Sequence, residues 1–275
     1  MTGSVAAELL VVGKRASTWI LLAVWTTLAL VFAYVGPYVT YLNGSAAEPI
    51  TELFPQRLVG NLMVGFPFFG GVIALMLGVL AFGSEYSWGT LRTLFTQRPG
   101  RLHVVGAKLL GLAAALGLFA LVVYAAGALA SSAIALREEA QIEWPSAWLL
   151  LRGLGAGWLI LAVWAGFGVF LAVLSRGTSL AIGIGILYAL VIEGLLSALA
   201  GQVALLDNLV EFFLRANGYS LVAGLGVAAD DVAGNGPGSF SGPFVDGGQA
   251  LLVLGLYGAV FLGISAWLLR RRDIA

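Results

Sequence analysis

Glu193 is the side chain in this sequence that stands out first as a chemical group. It interrupts an otherwise apolar run over residues 180–200, about 20 Å from the start of that run at 1.5 Å per helical residue. A carboxylate at that depth costs a few kcal/mol in lipid, so it must face a bundle interior or a wet cavity. Two roles are open to it. Either it serves a transport pathway or its gate, or it is structural, held neutral or paired with Arg57 or with a helix amide. Other reactive groups are scarce. The chain has no Cys and a single His, His103, which removes disulfides, thiolate nucleophiles and multi-histidine metal sites together. The phosphate-cradling pattern G-x-x-x-x-G-K-[ST] is also missing: Gly13-Lys14 is followed by Arg15, and Lys108 has no glycine before it. No cofactor or metal is expected on this chain.

A second constellation lies in Gly83 to His103, G-S-E-Y-S-W-G-T-L-R-T-L-F-T-Q-R-P-G-R-L-H. Ser87 is placed to cap a short helix in which Trp88, Leu91, Leu94 and Phe95 form an apolar stripe, with Arg92 and Arg98 polar and Pro99-Gly100 stopping it. Gly89 is either a helix-entry residue or a point of close approach, since it lacks a Cβ. The stripe suits resting on lipid headgroups and docking on a protein equally well.

The elements around these residues are set by composition. Of the 275 residues 60% are hydrophobic and 10% charged, whereas a soluble domain carries about a quarter charged residues. The 14 basic and 14 acidic residues cancel, leaving no global field for nucleic acid. Six apolar stretches, residues 19–42, 58–82, 105–129, 154–174, 180–200 and 250–269, are each long enough to cross a ~30 Å hydrocarbon core as a helix. Lys108 lies near the end of the third, where it can snorkel to the interface. Pro67, between Gly65 and Gly70-Gly71, should bend the second, a bend that a moving gate helix can use and that static bundles also commonly contain. Phe66, Phe68 and Phe69 either line a cavity or face lipid. Pairs and triplets of small residues, such as Gly153-x-Gly155-x-Gly157 and Gly183-x-Gly185, let helices approach closely.

With the amino terminus inside the cell, ten basic residues fall on the inner side and four (Arg57, Arg137, Arg152 and Arg215) on the outer. The expected topology is therefore a multi-pass protein of the inner (plasma) membrane with both termini cytoplasmic. Residues 1–17 are expected to form an amphipathic helix on the inner interface, with Val5, Leu9, Val12 and Ala16 on one face and Glu8 and Arg15 on another, the alternative being a plain extension of the first span. Outside, residues 203–215 should form a second amphipathic helix, with Asp207, Glu211 and Arg215 on its polar face. Residues 216–248 read as a long Gly-rich loop, with an apolar part at 219–229 that can dip into the outer leaflet. The fold class is all-α: six membrane helices in one domain over 1–275, with a coupling-type segment at 83–103 and an external segment at 201–248.

The run Glu85-Tyr86, Gly89-Thr90-Leu91-Arg92, Arg98-Pro99-Gly100-Arg101 and Lys108 resembles the E-Y-x-x-G-T-L-R … P-x-R … K pattern of type 2 ABC exporter permeases. The six-span bacterial permeases of bacitracin and lantibiotic immunity are the most similar in feel. The likeness extends to the amino-terminal helix, the six spans and the long outer connection, and so covers essentially the whole chain. It implies that the amino-terminal helix is an elbow bracing the first span, and that 83–103 is a coupling element seated in a groove of a separate ATP-binding subunit. Glu85, Tyr86, Trp88, Gly89, Thr90, Leu91, Arg92 and Phe95 are then the partner-facing residues. It also implies two ATPase copies carrying ATP and Mg, and a second permease half, either an identical copy or a related chain. The cargo implied is a hydrophobic or amphipathic small molecule, peptide or lipid.

Two other classes fit less well. A gradient-driven transporter would want several intramembrane ionisable groups and usually a repeat, and the sequence offers Glu193 and no visible repeat. An intramembrane enzyme would need a nucleophile and base close together, and His103 has no evident partner.

Overall fold

The computed structural model describes residues 2–46, 48–87, 101–199, 209–227, 240 and 244–271. Among them the regular structure is helical throughout, with no strand. Six helices are long and apolar enough to cross a membrane: Ala16–Leu42, Phe66–Tyr86, His103–Arg137, Ala147–Ser175, Ser179–Ser197 and Gly247–Arg271. They fall where the apolar runs place them and are called the first to sixth spans below. Three further helices matter: α1 (Thr2–Lys14), α2 (Leu58–Met63) and α3 (Leu214–Ala223).

Local sequence explains where the spans start and stop. Ser146 opens the fourth span by accepting a hydrogen bond from the Leu149 amide at 3.2 Å, a side-chain N-cap. Arg176 closes that span in the left-handed region, φ 56°, just before Gly177. The second apolar run is not one helix. α2 ends in a turn at Val64-Gly65, and Phe66–Gly70 forms a π-helical turn containing Pro67 before the regular helix Gly71–Ser87. The cause is Pro67, which has no amide to donate and crowds the preceding turn. π-helical turns also occur at Val31–Val35 in the first span and at Leu187–Ile192, immediately before Glu193 in the fifth.

Most of the second and fourth spans is buried, whereas most of the first, fifth and sixth is not. The second and fourth meet at glycines. A Cβ on Gly78 would collide with the Ala165 carbonyl, one on Gly168 with the Leu75 carbonyl, and one on Gly71 with the Trp164 indole. Without side chains at these points the two backbones come into direct contact, which lipid-embedded helices use in place of a hydrophobic driving force. Gly153, Gly157 and Gly185, named from the sequence, also sit under tight contacts, while Gly155 and Gly183 face open space.

Two expectations need correction. The amphipathic helix over 203–215 does not run through: its described end turns at Glu211-Phe212 and bends at Phe213, and α3 starts afresh at Leu214. The loop expected from residue 216 is helical as far as Ala223, and most of α3 is buried. Gly218 seats on Pro67, where a Cβ would come within 2.9 Å, and Gly224 lies against Gly247 at the start of the sixth span. Residues 203–208 lie outside the described residues.

Candidate functional site

Two buried polar centres stand out in this bundle. The first collects side chains from three helices. Lys108, in the third span, is 4% exposed at its side chain. It forms ion pairs with Glu85 at the end of the second span and with Glu8 of α1, the latter at 3.2 Å. Its ammonium also lies 6.0 Å from the centre of the Phe82 ring. Lys108 therefore does not snorkel outward: two carboxylates hold it inside, because a buried cation is tolerated only when paired and hydrogen-bonded. Arg15 joins the same end of the bundle by donating from Nη1 to the Leu80 carbonyl at 3.0 Å.

This centre reverses the expected face of α1. Glu8 and Arg15, expected on the polar side away from the apolar face, turn inward together with Val5 and Val12, while Leu9, Leu10 and Ala16 point outward. Gly111 of the third span makes the approach possible, since a Cβ there would lie 3.2 Å from the Glu8 Cβ. Trp19 ties the start of the first span to the end of α1 by donating from its indole to the Gly13 carbonyl at 2.7 Å.

The second centre is built around Glu193, which has no exposed surface. Its Oε1 accepts from the Leu214 amide at 2.7 Å and its Oε2 from the Arg215 amide at 3.1 Å. The Tyr188 hydroxyl is a further partner. Phe213, at the capping position of α3, supplies no capping side chain, so a carboxylate from the fifth span takes that role. It satisfies two of the orphan donors and meets the positive end of the helix dipole. Of the structural roles open to Glu193 in the sequence, the helix amide is the observed one. Arg57 is elsewhere, paired with Glu52 at 2.9 Å.

Arg215, expected on an exposed polar face, is 8% exposed. Its guanidinium carbon lies 5.3 Å from the Phe68 ring centre and 5.9 Å from that of Phe240, and it makes no ion pair within 4 Å among the described residues. The aromatic faces and the nearby carboxylate stabilise a cation that burial strips of most of its hydration. Asn217 donates to the Glu211 and Phe213 carbonyls at 2.7 and 2.8 Å, closing the turn that separates α3 from the preceding residues. Burial pushes the Tyr219 phenol well above its ordinary pKa, so it stays neutral. Of the three phenylalanines beside Pro67, Phe66 is buried against Trp25 and Tyr124, Phe68 lies under Arg215, and Phe69 stacks on Phe32.

Of the residues singled out in the sequence, Glu85 lies in the Lys108 centre, with the half-buried Tyr86 next to it at the end of the second span. Glu193 and Pro67 both hold α3, one at its N-terminus and one at Gly218. Trp88, Gly89, Thr90, Leu91, Arg92 and Phe95 lie outside the described residues; the helix of the second span runs on through Ser87 to their edge. Missed by sequence reasoning were Glu8 as a partner of Lys108 and Arg215 as a buried cation. Lys108 itself was the available signal, being the sole basic residue within its apolar run.

In comparison with protein families, the family model described as ABC-2 family transporter protein matches residues 14–274. A search among curated proteins finds no match.

Proposed function

The chain belongs to the ABC-2 family of transporter proteins, and from that premise we propose that it is the membrane half of an exporter driven by a separate ATPase through residues 83–103. It is a multi-pass membrane protein and an ABC transporter permease subunit. In the finer reading it resembles the bacitracin and lantibiotic immunity permeases, sits in the plasma membrane with both termini cytoplasmic, and pairs with a second copy or a related permease. Two ATPase subunits hold ATP and Mg. The cargo is a hydrophobic or amphipathic small molecule, peptide or lipid.

The observation that carries this reading is the Glu8–Lys108–Glu85 centre. Glu85 and Lys108 are motif residues on either side of 88–100, and they close on each other across the second and third spans. A push on the intervening segment then acts on both spans and, through Glu8, on α1. Trp88, Leu91 and Phe95 supply apolar contact area for the ATPase, with Arg92 at the rim, while Glu85 works inside the bundle. At the opposite end Glu193 and Pro67 serve the gate by fixing α3 between the second, fifth and sixth spans.

The test is co-purification of the ATPase with the full permease. Trp88→Ala or Phe95→Ala should weaken the complex at least tenfold, since aromatic anchors of such interfaces often contribute about 2 kcal/mol or more. Arg92→Glu should do so more mildly, and Arg137→Glu, near the far end of the third span, not at all. Full ATPase binding and normal transport in the Trp88 and Phe95 variants would leave the segment an interfacial helix only.

A further inference from the structure

Where the fourth and sixth spans begin, they leave a groove of about 500 Å3 between them, closed on one side by the end of α3. That volume lies in the range of sites that take small ligands, about 300–1,000 Å3. Its walls are apolar, from Leu159, Leu221 and Leu251. Gly155 opens one wall, because a Cβ there would meet nothing within 4 Å.

Two opposite charges stand at the rim. Arg152, in the fourth span, is exposed and donates from Nη2 to the Gly224 carbonyl at 3.2 Å. Asp246, just before the sixth span, is exposed and accepts from the Gly248 and Gln249 amides at 2.8 and 3.4 Å, capping that span. Neither makes an ion pair within 4 Å among the described residues, so a cation and an anion face the same opening without neutralising each other. Leu159 lies two turns further along its helix than Arg152, about 10 Å deeper at 1.5 Å per residue. The groove thus has a charged mouth near the starts of the two spans and an apolar floor further along them.

We propose that this groove binds a zwitterionic amphiphile of the phosphatidylethanolamine type. The phosphate pairs with Arg152 and the ammonium with Asp246, while a hydrocarbon chain lies along Leu159, Leu221 and Leu251. Charge complementarity selects a head with both signs: an anionic lipid satisfies Arg152 and meets repulsion at Asp246. The same chemistry belongs to a resident bilayer lipid and to a transported amphiphile.

The experiment is native mass spectrometry of the purified full chain offered phosphatidylethanolamine and phosphatidylglycerol in equal amounts. The natural chain should retain one phosphatidylethanolamine in preference. Arg152→Gln should lower its retention about tenfold, the loss of one charge-assisted contact. Asp246→Asn preserves the helix cap and should abolish the preference between the two lipids. Gly155→Leu should fill the groove and exclude both. Release of the lipid during ATP turnover in the reconstituted complex would mark it as cargo, and retention through turnover as a resident lipid; both outcomes support the site. Retention unchanged in Arg152→Gln and Gly155→Leu, with both variants as thermally stable as the natural chain, would overturn it. The binding measurement needs no ATPase, so its failure leaves the coupling account standing.

Discussion

At one end of the bundle a cation from the third span is shared between carboxylates on two other helices; at the other end a carboxylate from the fifth span grips the backbone amides that open α3. The Lys108 ammonium can trade one oxygen for another as Glu8 and Glu85 shift, because its three donors rotate on a flexible stem. Glu193 has no such latitude. Its two oxygens are matched to consecutive amides at 2.7 and 3.1 Å, and it lets go only when α3 leaves its seat. The difference suits the first centre to passing movement between helices and the second to holding one in place.

The largest effect is expected at the rigid centre. Glu193→Leu leaves two buried amides unsatisfied and removes the carboxylate nearest the buried Arg215, and should cost about 3–5 kcal/mol, read as a large fall in thermal stability in detergent. Lys108→Met should cost somewhat less, about 3 kcal/mol, because Glu8 is partly exposed and can rehydrate. Its signature is functional: ATPase activity of the complex should no longer respond to cargo. Adding Glu85→Gln should restore part of the lost stability, a non-additivity that identifies a direct pair. Glu193→Gln keeps one acceptor for an α3 amide and should cost about 1–2 kcal/mol; expression should survive while transport falls, and unchanged transport would confine Glu193 to a structural role. The smallest effect belongs to Arg57→Gln. Its pair with Glu52 is well exposed, so its loss should shift stability by less than about 1 kcal/mol.

The sequence made the six spans legible because span length and apolarity follow directly from the thickness of the hydrocarbon core. Pro67 likewise marked the break in the second span through its own covalent geometry. The contacts between spans were another matter. Glu8, Glu85 and Lys108 are far apart in sequence, and their meeting depends on the rotation of three helices that no local pattern specifies. A lysine near the end of an apolar run reads equally well as a residue reaching for water. α3 was hidden for a different reason. Asn217-Gly218 is a turn signal, yet here Asn217 caps the preceding carbonyls and Gly218 makes room for Pro67, so burial turned loop residues into helix. The closest span contact, at Gly78 and Gly168, was not legible although Gly78 follows Ala74 by four residues and Gly168 follows Gly166 by two, because small-residue spacing does not specify which helix a glycine faces.

The central claim, that residues 83–103 meet the ATPase, is tested most directly by site-specific cross-linking in intact membranes. The absence of Cys allows a single cysteine at Arg92 or Phe95, and a comparison cysteine at Gly226, to carry a photoactivatable maleimide. The account predicts a covalent adduct from Arg92 and Phe95 to a polypeptide whose peptides contain a phosphate loop, and none from Gly226. Adducts only to lipid at the first two sites, or equal capture from Gly226, would contradict it.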